Sequence, residues 1–351
     1  MMKGSRRALR TWGSGLVTAD VFEGGVAPSG AHAAVAVLER AAHLAPMVEA
    51  GVVGPQTRVF AAGASDDDSG PVVMGYEGSL GDAGSEVQVG SSYFLQTQDY
   101  GTSEYLSLIG ATLVRVVDDS DLEVFAEDAD LARRSGVFPE FLTHHLVQLC
   151  DVPALGGASL EDGPGLRLYV DREGGVSTSP SGLRLGEAGD DLAALGKEWH
   201  RLNGASGAPC AVSLGSQVDE DVRVETVRAR PWLARYHQAI AALQHLRGRE
   251  VEPGAEVRVS GFGGRLVPEL EGVTRPADDG YGVPTLLWSE DWVYLHAGAS
   301  DRVFRLEPTA GAAAERLLVH GSVEAAAGAI SSDELTAVAD YFERAGVPLV
   351  A

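Results

Sequence analysis

The chain is expected to fold as a mixed α/β protein, with an N-terminal α/β region, a middle region of a hairpin and helices, and a C-terminal winged-helix domain. Three observations lead there. Short apolar runs bounded by glycines and acidic turns alternate with helical periodicity through the first 150 residues. The texture changes near Asp151, where a hairpin and then helices follow. The last stretch, 284–351, reads as three short strands followed by three helical patterns. The expected domains are therefore 1–150, 151–283 and 284–351.

Taken in order, Val35-Ala-Val-Leu is a short buried strand. Apolar residues at helical spacing run from Arg40 to Ala50, with Gly51 as a C-cap, and Arg58-Val-Phe-Ala-Ala is the next strand. Together they make a β-α-β unit. Asp66-Asp-Asp-Ser-Gly-Pro71 is a turn. Val72-Val-Met-Gly-Tyr, Glu86-Val-Gln-Val, Tyr93-Phe-Leu-Gln and Leu113-Val-Arg-Val-Val are strands. Asp121 is expected to N-cap a helix reaching about Ser135, closed by Gly136, and Phe141–Leu149 to be a further short helix.

In the middle region, 166–180 reads as a hairpin turning at Gly174-Gly175, and 190–202 as a helix. Cys210-Ala-Val-Ser-Leu is expected as a strand, and 219–249 as helix interrupted at Pro231. One strand, Glu256-Val-Arg-Val-Ser, lies in a stretch rich in Gly, Pro and acids, and 276–284 is a linker. Strands Thr285-Leu-Leu-Trp, Trp292-Val-Tyr-Leu-His-Ala and Arg302-Val-Phe-Arg-Leu open the last domain.

The 351 residues are 45% hydrophobic with a mean hydropathy near zero and a net charge of −23. That balance supports buried cores and disfavours nucleic acid, whose phosphates an acidic surface repels. No apolar run is long enough for a transmembrane helix, so no membrane association is expected. The basic N-terminus lacks an apolar segment behind it and does not read as a secretory signal. With two cysteines, Cys150 and Cys210, a reducing cytoplasm is the expected setting.

Catalytic and metal motifs are weak throughout. Asp66-Asp67-Asp68 has no flanking ligands at fixed offsets, and adjacent histidines such as His144-His145 point about 100° apart on a helix. Gly261-Phe-Gly-Gly-Arg-Leu lacks the glycine and helix start of a phosphate loop. No catalytic residue, metal or cofactor is expected. The polar run Gln96–Tyr105 is the one loop whose amides and aromatics suit a polar ligand or peptide.

Two families share features with this chain. Tyr169-Val-Asp-Arg-Glu-Gly-Gly-Val176, Ser179-Pro180, Leu185-Gly186 and Trp199 resemble the auxiliary-cluster (SPASM) domain of radical SAM peptide-maturing enzymes. Ser179 stands where that family has a cysteine, and the cluster thiolates are missing, so the resemblance implies a scaffold without its iron–sulfur chemistry. The stretch Trp292-Val-Tyr-Leu-His-Ala, then Val303-Phe-Arg-Leu-Glu-Pro-Thr-Ala-Gly-Ala-Ala-Ala-Glu-Arg-Leu-Leu, then the helix 332–345, resembles the PqqD-like recognition element of ribosomally made peptide natural products. A departure is Gly328 in the middle helix, 323–330. The whole chain resembles the recognition proteins of daptide biosynthesis.

That resemblance implies a non-catalytic adaptor, which binds a precursor leader peptide and presents it to a tailoring enzyme such as an oxidative decarboxylase. The family's peptide lies along the third strand and third helix. Here these are Arg302, Val303, Phe304, Arg305 and Leu306, and the stripe Leu335, Val338, Ala339 and Phe342. Val303 and Arg305 alternate with Phe304 and Leu306, so one pair faces the core and the other faces out. An alternative is a peptide-modifying enzyme with its active site in 1–150 and the C-terminal domain as substrate clamp. A DNA-reading winged helix is disfavoured, because 332–345 carries Arg344 as its one basic residue.

Overall fold

Buried β-rich segments too short to stand alone assemble here into two sheets, one in each of two units. The computed structural model describes residues 2–16, 30–65, 71–90, 93–157, 162–249, 256–273, 282–300 and 302–350. The first unit is Met1–Phe125 with Leu146–Arg230, and the second is Ala126–His145 with Pro231–Ala351. The fold is mixed α/β, as the sequence predicts.

The first unit opens with helix α1 (Met2–Ser14) and holds strands β1 (Val35–Leu38), β2 (Arg58–Ala62), β3 (Val72–Glu77), β4 (Glu86–Val89) and β5 (Tyr93–Asp99). Strands β6 (Ala111–Arg115), β7 (Val147–Leu149), β8 (Arg167–Val170), β9 (Gly175–Ser177) and β10 (Gly186–Glu187) follow. Its helices are α2 (Leu44–Glu49), α3 (Tyr100–Ser103), the start of α4 (Asp119–Ser135), α5 (Leu192–Ala205) and α6 (Glu220–Ala229). One sheet takes all ten strands in the order β10-β9-β8-β1-β2-β3-β4-β5-β6-β7. The pairs β8–β1, β1–β2, β2–β3, β5–β6 and β6–β7 are parallel. All four residues of β1 are buried, because a parallel sheet is covered on both faces.

The sheet is curled around α1. Trp12 donates its indole N–H to the Leu168 carbonyl of β8 at 2.9 Å, while Gly13 accepts from the N–H of Asp151, just past β7, at 2.9 Å. Strands β7 and β8 are far apart in the strand order, so both reach α1 only if the sheet bends toward closure. Ala8, Leu9 and Trp12 share one apolar cluster with Val35, Val37, Phe60, Leu95 and Leu113. The reverse face packs Leu38, Met47, Val59, Leu168 and Leu195.

A buried ionic network ties the two regions of the sheet together. Arg167, 1% exposed, donates to both oxygens of Asp162 at 2.7 and 2.9 Å and to Asp151 at 2.8 Å. It also donates to the Trp12 and Gly13 carbonyls at the end of α1, where a cation is favoured. Ser179 donates to the other oxygen of Asp151 at 3.0 Å.

Several expectations are corrected. No break occurs at Asp151: the hairpin β8–β9 extends the first sheet through β1 instead of forming a region of its own. The 141–149 stretch is a turn followed by strand β7, because Val147 and Leu149 find a parallel partner in β6. The cap of α4 is Asp118, which accepts from the Asp121 N–H at 2.8 Å. Asp121 lies inside the helix, and its carboxylate takes the Gly101 and Val117 N–H groups instead. Cys210 adopts a left-handed conformation, φ 60°, so Ala211–Ser213 forms a 3-10 turn and not a strand. The helix α1 was not foreseen. The acidic turn at 66–70 and most of the 276–284 linker lie outside the described residues.

The second unit carries helix α7 (Leu233–Gly248) and strands β11 (Arg258–Val259), β12 (Thr285–Trp288), β13 (Val293–Ala297) and β14 (Arg302–Leu306). All neighbours are antiparallel, in the order β11-β12-β13-β14. Helices α8 (Pro308–His320), α9 (Val323–Ala326) and α10 (Ser332–Arg344) follow. The middle helix stops at Ala326, short of the expected Ile330. Ser331 and Glu334 form a reciprocal capping box on α10, and Gly321 ends α8 at φ 77°. Glu315, fully buried on α8, accepts from Ser260 and from the N–H groups of Leu266 and Val267, which fixes the 260–267 turn. In that turn a Cβ on Gly263 would stand 2.3 Å from the Gly136 nitrogen, so only glycine fits.

Candidate peptide-binding surface

The edge strand β14 is the feature that makes a surface here. Among the described residues no strand pairs with its outer side, so its backbone N–H and C=O groups on that side have no ladder partner. Its inner side is fully engaged, with Arg302 opposite Ala297 and Leu306 opposite Val293.

Period-2 alternation assigns the side chains. Phe304 and Leu306 share a face with Leu295 and Val293, and all four belong to the cluster covered by α8 and α10. Val303 and Arg305 share the opposite face with His296 and Tyr294. His296 meets His245 of α7 with the rings tilted and their centroids 5.2 Å apart. The sheet is therefore covered on both faces, and β13 is buried along its whole length. The side chains of β14 alternate as expected, with Phe304 and Leu306 on the side of the core, but Val303 on the other side is half-buried as well, so that face is not simply outward.

The predicted α10 stripe separates into two pairs. Leu335 and Phe342, 0% and 1% exposed, are core residues, and Phe342 meets Phe304 edge-on at 5.2 Å. Val338 and Ala339 are half-buried at the margin of that core. Of the predicted apolar residues, these two and half-buried Val303 and Phe304 are the ones accessible to an incoming chain, beside exposed Arg302 and Arg305. Tyr341, 52% exposed and edge-on to Phe342, adds an aromatic that the sequence reading passed over. Its position in the helical period, one residue before a core phenylalanine, was the available signal.

Both arginines of β14 are held in place. Arg302 lies over the Phe304 ring at 4.7 Å and donates to the Ala345 carbonyl at 2.7 Å, tying the strand to the C-terminal end of α10. Arg305 lies over Trp292 at 4.0 Å and is exposed. Each presents a fixed positive charge beside the open edge. A cavity of about 20 Å³ between Arg235, Ser260, Arg265 and Leu318 is the size of one water, too small for a side chain.

The other sequence candidates lie elsewhere. Gln96–Asp99 of the polar run belong to β5, with Thr97 and Gln98 buried, and Tyr100 is packed edge-on against Phe125. Thr102, Glu104 and Tyr105, the last 82% exposed, are the residues of that run facing solvent. His144 and His145 stack on each other at 4.6 Å. Among the described residues no group of three or more His, Cys, Asp or Glu is arranged to hold a metal ion, and no helix is long and apolar enough to cross a membrane. Comparison with family models, curated proteins and solved structures finds no match for the chain.

Proposed function

We propose that the chain is a peptide-recognition adaptor that binds the leader of a ribosomally made precursor by β-augmentation at β14. On this reading it presents the remainder of the precursor to a tailoring enzyme in daptide-type natural product biosynthesis. The observation that carries the reading is the unpaired edge of β14, whose Phe304 meets Phe342 of α10, the helix that also carries half-buried Val338 and Ala339. An added strand takes its affinity from backbone hydrogen bonds and its specificity from side-chain pockets next to them. Arg302 and Arg305 suit acidic side chains of the leader, and the chain's overall charge of −23 suits a basic segment further along. Presentation would act through effective concentration, with no chemistry required of this chain.

The test is fluorescence polarisation of the full chain with a labelled leader peptide encoded beside its gene. Ala339→Arg places a long side chain over the strip, and Arg305→Glu reverses the charge at the edge. Each should weaken binding about tenfold or more while the protein stays folded. Unchanged affinity in both variants would sink the proposal.

A further inference from the structure

Among its described residues the first unit holds three fully buried arginines, and they are not treated alike. Arg167 has two carboxylates and two carbonyls. Arg223 has the Glu220 carboxylate and the carbonyls of Ala154, Ala208 and Pro209. Arg115, 2% exposed, has neither: both terminal nitrogens of its guanidinium are buried and without a hydrogen-bond partner. The guanidinium lies over the Trp12 ring and shares a side-chain hydrogen bond with Cys150, but its two terminal nitrogens are still unsatisfied, and buried donors left in this state point to something that completes them.

The place is the carboxyl-terminal end of parallel strands. Arg115 is the last residue of β6, and Asp99, its registered neighbour, is the last residue of β5. Registered residues of parallel strands point to one face, with backbones about 4.8 Å apart. Even so, Arg115 and Asp99 form no ion pair, and Asp99 Oδ1 is itself buried without a partner. A free donor fork and a free acceptor thus stand side by side on the face that curls around α1.

The surroundings suit a small ligand. Arg115 lies 5.5 Å from the Trp12 ring. Cys150, just past β7, shares a side-chain hydrogen bond with Arg115, and burial pushes its thiol up to about 12, so it is a neutral partner and not a competing anion. Tyr169 of β8 feels both Arg115 and the buried Glu39, and burial and then Glu39 keep its phenol protonated. Glu39 accepts from Tyr76 and from the Leu80 and Gly81 N–H groups, so its charge is already satisfied and does not neutralise Arg115. Ligands of curled and open parallel sheets bind at this end of the strands.

We propose that Arg115 anchors a binding site for a small carboxylate with a hydrogen-bond donor next to it, the pattern of a free α-amino acid. Both terminal nitrogens of Arg115 take the carboxylate in two-point fashion, and Asp99 takes the ammonium. The site is separate from the β14 edge and independent of the leader-binding proposal.

Isothermal titration of the full chain with L-alanine, acetate and inorganic phosphate tests it. L-alanine should bind, and acetate should bind more weakly for want of the ammonium. Arg115→Lys keeps the charge but loses the two-point geometry, and should weaken L-alanine about tenfold or more. Arg115→Met should abolish binding, and Asp99→Asn should reduce L-alanine to the affinity of acetate. No binding of L-alanine to the wild-type chain, binding of phosphate alone, or equal affinity in Arg115→Lys would each overturn the proposal.

Discussion

The two sheets handle exposed backbone in opposite ways. The ten-stranded sheet of the first unit curls around α1 and draws charges inside, where Arg167 links Asp151 beyond β7 to the start of β8. The four-stranded sheet of the second unit is flanked on both faces by helices yet leaves β14 open along one side. A curled sheet of mixed strand direction brings strand ends together, where the proposed small ligand would sit. An antiparallel sheet with a free edge makes a place for another strand. Each kind of site follows from how its sheet ends.

The sharpest way to break the contrast is inside the first unit. Asp151→Asn removes one charge from the Arg167 network while keeping the shape, and asparagine tolerates the left-handed backbone at φ 53°. It should cost about 3 kcal/mol in urea-denaturation stability, because a buried guanidinium loses a charged partner. A loss under about 0.5 kcal/mol would show that Asp162 alone holds Arg167. In the second unit, Leu335→Ala should cost about 2–4 kcal/mol through the cavity it leaves under α10. Because Leu335 is core and not surface, its loss of leader affinity should follow its loss of stability, whereas Ala339→Arg loses affinity without destabilising.

The smallest effect is chemical. Cys150 and Cys210 are buried, 1% and 6% exposed, with burial raising their thiols to about 12 and about 11. Thiolate is the reactive form, so both should be nearly inert to a disulfide reagent at pH 8 in the folded chain. Reactivity should rise with pH, Cys210 before Cys150, and become rapid in denaturant. Fast labelling of Cys150 at pH 8 in the folded chain would contradict the burial of its thiol.

Much of the secondary structure was legible. Val35–Leu38, Arg58–Ala62 and the three strands of the C-terminal ribbon carry apolar, β-rich runs of strand length. Helix α10 shows its stripe and its Ser331–Glu334 box in the sequence itself. Elements that depend on distant partners were not legible. Val147–Leu149 has the same apolar spacing as a helix turn until β6 is placed beside it. The α1 segment reads as a basic terminus, and only the sheet gives Leu9 and Trp12 something to cover. Asp118 and Asp121 are equally good caps by type, and the choice fell to the one whose carboxylate was not already held by Gly101 and Val117.

By itself the sequence determined the mixed fold class, the order of elements in the C-terminal ribbon and helices, and the alternation of Val303 and Arg305 with Phe304 and Leu306. These rest on local periodicity, which neighbouring residues settle among themselves. The tertiary structure alone decided that strands β8, β9 and β10 join the first sheet, that Leu335 and Phe342 are core while Val338 and Ala339 are half-buried, and that the terminal nitrogens of Arg115 are buried without a hydrogen-bond partner. Those outcomes depend on which segments meet across long stretches of chain, and on what remains for a buried charge once every other partner is taken.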